Sequence, residues 1–118
     1  NRKNQRLIMT KVTFYQKNGV VIGFDAWDHA GYANAGEDII CAAVSALVLN
    51  AINSIEAFTS DAFTADVKEE DGRIEFRLEQ DNPSDDTTLL LKSLILGLQG
   101  IENEEENMQY IDVIFEEV

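Results

Sequence analysis

The sequence contains one cysteine, one histidine and one proline in 118 residues. A single cysteine excludes an internal disulfide and is the usage of a reducing compartment, so a cytoplasmic location is expected. One proline, seven glycines and a hydrophobic share of 45% exclude a fibrous or disordered chain. Basic residues are scarce as well: nine Lys and Arg stand against 22 Asp and Glu, a net charge of -13. Arg2, Lys3 and Arg6 lie at the start, so from Met9 onward six basic residues face all 22 acidic ones. Such a field repels nucleic acid and favours a cationic partner, so no direct contact with DNA or RNA is expected. The longest apolar run, Ile39 to Leu49, is interrupted by Ser45 and falls short of the roughly 20 residues a bilayer requires, so no membrane partner is expected either. Asn1 to Leu7 is polar with no apolar run behind it, which is not the pattern of a signal peptide. Residues 9–118 read as one domain, with residues 1–8 an N-terminal extension or residues added upstream of a Met9 start.

Alternation from Ile8 to Tyr15 predicts a strand with Ile8, Val12 and Phe14 on one face. Asn18-Gly19 predicts a tight hairpin turn into a second strand. There Val20, Ile22, Phe24 and Ala26 are expected on one face, with Val21, Asp25 and Trp27 on the other. From Asp38 to about Phe58 apolar residues recur at steps of three and four, including Ile40, Val44, Leu47, Ala51 and Ile55, a helical period. Ile39, Ala43, Ala46, Leu49 and Ile52 make this helix apolar almost all round, so it needs cover on more than one side. A partner subunit or a second helix of the same chain would supply it, and a homodimer is expected.

A second hairpin is expected through Asp71-Gly72, with Phe63, Ala65 and Val67 inward on one strand and Ile74, Phe76 and Leu78 on the other. Arg73, Glu75, Arg77 and Glu79 should form a solvated outer face. Asn82 to Asp85 breaks the strand and caps a second helix, whose stripe is Leu90, Leu94, Leu98 and Ile101 and whose end is expected at Gly100. A last strand is expected over Met108 to Phe115. The order ββαββαβ predicts an α+β two-layer sandwich of a mostly antiparallel sheet and two helices.

The only histidine and the only cysteine flank one stretch, His29 to Cys41, which contains Gly31 and Gly36. With Asp38 as the N-cap, Cys41 falls in the first helical turn, where unpaired N–H groups and the macrodipole favour a thiolate and can hold an oxyanion. Ser45, four residues on, shares its face. His29 is suited to general base and general acid work if the loop brings it to the sulfur. Residue chemistry leaves two readings of the pair open, catalysis and packing, since a lone cysteine at an apolar helix start is commonly a small buried hydrophobe. A zinc site would need two more ligands and only carboxylates remain, so neither a metal nor another cofactor is expected.

The residues Asp28-His29-Ala30-Gly31-Tyr32-Ala33 and Gly36-Glu37-Asp38-Ile39-Ile40-Cys41-Ala42-Ala43-Val44-Ser45 resemble the motif of the ribosomal-processing cysteine proteases, the Prp or YsxB-like family of Firmicutes and related bacteria. The resemblance implies that Cys41 is the nucleophile and His29 its base, with Asp38 and Ser45 supporting the site or contacting substrate. Gly31 belongs to the loop, mobile in that family, that would run here from Ala30 to Glu37. It further implies a dimeric thiol endopeptidase acting on a ribosomal protein, removing the basic N-terminal extension of large-subunit ribosomal protein twenty-seven. The family has glycine where this chain has Asp28, a carboxylate able to orient His29, to raise its pKa, or simply to face solvent. The alternative is a non-enzymatic acidic dimer that binds a basic ribosomal protein or assembly factor.

Overall fold

The computed structural model describes residues 10–27, 35–68, 70 and 72–118, with residues 35–38 described by their backbone alone. Two strands open the chain, β1 (Thr10–Lys17) and β2 (Val20–Trp27), followed by helix α1 (Ala35–Phe58). A second hairpin, β3 (Phe63–Lys68) and β4 (Arg73–Leu78), leads to helix α2 (Asp85–Glu102), a short 3-10 turn at Glu105–Asn107 and strand β5 (Ile111–Glu117). The five strands form one sheet in the order β3-β4-β2-β1-β5, antiparallel except for the parallel β1-β5 pair. The expected ββαββαβ sandwich is the observed fold.

The turns follow from their residues. Asn18 and Gly19 have φ of 54° and 79°, the two positive angles of the expected β1-β2 turn. At the second hairpin Gly72 has φ 61°, whereas Asp71 lies outside the described residues. Ser84 caps α2, its hydroxyl oxygen accepting from the Thr87 N–H at 3.3 Å. Asp61 braces that cap, its Oδ2 accepting from the Ser84 N–H at 2.9 Å and from the Ser84 hydroxyl at 2.7 Å.

One layer boundary holds the core. Val12, Phe14, Phe24 and Phe76 of the sheet pack under Ile40, Val44, Val48, Ile52 and Ile55 of α1 and Leu91, Leu94 and Leu98 of α2. An aromatic row crosses all five strands: Phe115, Phe14, Phe24, Phe76 and Phe63 follow one another with ring centroids 5.0 to 5.6 Å apart, in alternating stacked and tilted pairs. Such pairs add about 0.5–1.5 kcal/mol each beyond their buried area. The helices approach closely at Gly97, where a Cβ would stand 3.2 Å from Leu47 Cδ1.

Several expectations are corrected. Pairing shifts by one residue between Tyr15 and Gln16, so Gly23 faces Tyr15 and Val21 faces Gln16. The extra residue, Ile22, is turned out beside Tyr15, and Val21 packs on the core instead. Strand β3 is a sheet edge, so only Phe63 packs on the core while Ala65 and Val67 are exposed. Helix α1 begins at Ala35, about one turn before the expected Asp38. Gly100 lies inside α2, which ends at Glu102 with Asn103 as its C-cap. The last strand starts at Ile111, three residues later than expected. Ile8 lies outside the described residues.

The apolar run also extends further than the eleven residues read from the sequence. Ile39–Phe58 is 20 residues of mean hydropathy 1.8, long and apolar enough to cross a membrane by length and composition alone. Here its inner face forms the core and α2 covers one flank, while Ile39 (68%), Leu49 (41%) and Phe58 (73%) remain exposed.

Candidate active site

Cys41 sits on the half-buried flank of α1 where the helix crosses one end of the sheet. It shares a small pocket with Val44 and Ser45, the residues three and four positions on, as helical spacing requires. The sheet contributes Thr10 from the start of β1, Ala26 and Trp27 from the end of β2 and Ile74 from the start of β4, and the turn before β4 adds Gly72. These three strand ends meet because β2 is flanked by β1 and β4, both running antiparallel to it. The pocket is thus an apolar cup of Ala26, Val44 and Ile74 that carries a thiol and two hydroxyls.

The structure brings together only part of the sequence-predicted site. Cys41 and Ser45 face one pocket, as expected. His29, Asp28 and Gly31 lie outside the described residues, and Asp38 is described by backbone alone. The early start of α1 changes the local electrostatics. Cys41 stands six residues past Ala35, beyond the four N–H groups a helix leaves unpaired and beyond the first turn in which the macrodipole acts. The expected first-turn activation of the thiol, and the oxyanion hole drawn from those N–H groups, do not fit this helix. Among the described residues no group of three or more His, Cys, Asp or Glu is placed to hold a metal ion.

Sequence reasoning missed Thr10. It is 2% exposed, its N–H donates to the Tyr110 carbonyl at 2.9 Å, and its Oγ1 is buried without a hydrogen-bond partner among the described residues. The signal was present: the alternation that turns Val12 and Phe14 inward turns Thr10 inward too, placing a hydroxyl at a core position.

Behind the pocket, on the sheet face away from the helices, the expected outward row of mixed sign carries an ion-pair network that includes Asp25. Asp25 Oδ2 accepts from the Tyr15 hydroxyl at 2.7 Å and from Arg73 Nη2 at 3.2 Å, and Oδ1 forms an ion pair with Arg77 Nη1 at 2.9 Å. Arg77 lies over the Tyr15 ring at 4.7 Å and Arg73 over the Trp27 ring at 5.4 Å. Glu75 closes the array with Arg73 and Lys68, each at 3.2 Å. Burial opposes the charge on Asp25, but contacts from Arg77, Tyr15 and Arg73 outweigh it and hold the carboxyl below its usual range. Burial and then the hydrogen bond to Asp25 push the Tyr15 hydroxyl up.

A two-layer α+β domain with one thiol on a helix flank, over the convergence of three strand ends, has the architecture of a small thiol hydrolase. The family described as Cysteine protease Prp matches residues 9–112, and the chain belongs to that family. It is 32% identical over 77 residues to the ribosomal processing cysteine protease Prp of Staphylococcus aureus strain Mu50, spanning 64% of this chain and 71% of the relative. It is 26% identical over 87 residues to the protein of the same name from Bacillus subtilis strain 168, spanning 71% and 78%. Among solved structures it is similar to S. aureus Prp in complex with a substrate peptide, with TM-score 0.82 and 26% identity. It is similar as well to that protease with a covalently linked product peptide, with TM-score 0.79 and 28% identity. Both comparisons cover 92% of this chain and all of the other.

Proposed function

We propose that the chain is a cysteine endopeptidase of ribosome maturation that removes the N-terminal extension of large-subunit ribosomal protein twenty-seven. Cys41 is the nucleophile and His29 its base. His29 takes the thiol proton, the sulfur attacks the scissile carbonyl carbon, and the protonated imidazole returns the proton to the leaving amine. Water then hydrolyses the thioester, regenerating the thiol and releasing the acid. Asp38, Ser45, Asp28 and Gly31 support the site or contact substrate. The observation that carries this reading is the half-buried Cys41 lining one pocket with Ser45 at the strand ends.

Connectivity supports the pairing, because His29 follows Trp27, a pocket residue, by only two positions in the chain. The S. aureus relative, captured with a substrate peptide and with a covalently linked product peptide, supports peptide cleavage through a covalent intermediate. The names of the relatives support a ribosomal substrate, and a net charge of -13 suits a basic one. The exposed Ile39 and Leu49 of α1 support a homodimer, which light scattering of the purified protein checks. The central test incubates the protein and its Cys41→Ala and His29→Ala variants with the extended ribosomal protein. Cleavage by the unaltered protein with loss of at least about a thousandfold in Cys41→Ala is expected; equal cleavage by both overturns the reading.

A further inference from the structure

We infer that Thr10 is a substrate-binding residue of the Cys41 pocket, its hydroxyl hydrogen-bonding a polar group of the bound peptide. The inference deepens the proposed function and rests on it. Three observations converge on Thr10: it lines the same pocket as Cys41 and Ser45, it is 2% exposed, and its Oγ1 is buried without a partner among the described residues. Buried hydroxyls are ordinarily satisfied, and one that is not costs the fold stability. Ala26, Val44 and Ile74, which line the same pocket, offer no side-chain donor or acceptor, and the Thr10 N–H is already committed to Tyr110. A hydroxyl both donates and accepts, so it suits the N–H or C=O groups that every peptide presents. Among the described residues the Thr10 hydroxyl is thus left unpaired, and a bound peptide that pairs it gains by doing so.

The isosteric change Thr10→Val separates this role from packing. It removes an unsatisfied hydroxyl while keeping the branched shape, so the melting temperature is expected to stay level or rise. Activity is expected to move the opposite way, with kcat/KM on the extended ribosomal protein falling about 3- to 10-fold, mainly through KM. Thr10→Ser, which keeps the hydroxyl, is expected to retain the wild-type KM within about twofold even where its lost methyl lowers the melting temperature. Binding of the uncleaved substrate to Cys41→Ala should weaken by the same factor when Thr10→Val is added. A wild-type KM in Thr10→Val overturns the inference, as does an equal rise of KM in Thr10→Val and Thr10→Ser. Wild-type turnover by Cys41→Ala overturns the site itself, a result distinct from an inert Cys41→Ala beside a wild-type-like Thr10→Val.

Discussion

A Cβ on Gly23 would stand 2.6 Å from the carbonyl oxygen of Phe76 and 3.0 Å from Arg77 Cδ. The empty position lets the Arg77 side chain lie across β2, where Nη1 donates to the carbonyls of Phe24 at 3.0 Å and Phe76 at 2.8 Å and pairs with Asp25. Gly23 is also the residue opposite Tyr15 where the β1-β2 register shifts. One glycine therefore permits the bulge and the arginine network together.

Gly23→Ala must displace backbone, because the nearest atom is a main-chain oxygen of the neighbouring strand. The expected loss is at least about 2 kcal/mol, in the range of an overpacked site. Urea unfolding checks it, and a midpoint unchanged from wild type would contradict the geometry.

The Asp25 network sets a pH window for stability. Asp25 has its folded pKa lowered from 3.8, so its contribution is present above that value and is lost as pH falls through the folded pKa. Tyr15 has its folded pKa raised from 10.0, so its contribution is present below that value and is lost as pH rises through the folded pKa. Stability should therefore be level between these limits and fall outside both. Asp25→Asn, at a side chain only 11% exposed, is expected to cost about 1–3 kcal/mol at pH 7 and to flatten the acid limb of a melting-temperature profile.

The cap of α2 gives a second acid-sensitive point. The neighbouring polar groups of Thr87 and then Ser84 hold the Asp61 carboxyl below its usual range, so its support is lost as pH falls through the lowered value. Ser84→Ala removes the one hydroxyl that both accepts from the Thr87 N–H and donates to Asp61. A loss of about 0.5–2 kcal/mol is expected in thermal unfolding, read at neutral pH.

These elements differ in how openly the sequence announced them. Asn18-Gly19 and Ser84 were legible because turn geometry and helix capping act on neighbouring residues. Val21 and Ile22 were assigned to the wrong faces because a bulge is set between two strands, and alternation within one strand cannot register an inserted residue. Ala65 and Val67 carry a core-like alternation, yet β3 lies at the sheet edge, a placement fixed only by the whole strand order. In the site, Cys41 and Ser45 were legible from uniqueness and helical spacing. For Thr10 alternation signals only the inward face; its place in the pocket is set by residues of β2, β4 and α1, far away in the chain.

Gly100 tests the opposite case from Gly23. It lies inside α2, exposed, and a Cβ there meets nothing within 4 Å. Gly100→Ala therefore adds helix propensity without a clash and is expected to stabilise the protein by about 0.5–1 kcal/mol. A rise in melting temperature checks this, and a fall would show that the helix end needs the glycine.

The early start of α1 sharpens what must activate the thiol. A cysteine six residues past Ala35 draws little from the helix terminus, so under the proposed mechanism His29 is the group expected to depress the thiol pKa. Alkylation by iodoacetamide followed against pH reads this directly, since the thiolate is the reacting form. The unaltered protein is expected to react well below pH 8, and His29→Ala is expected to shift the midpoint up towards the ordinary cysteine value of about 8.5. A midpoint unmoved by His29→Ala would return the activation to the helix and remove His29 from its role as base.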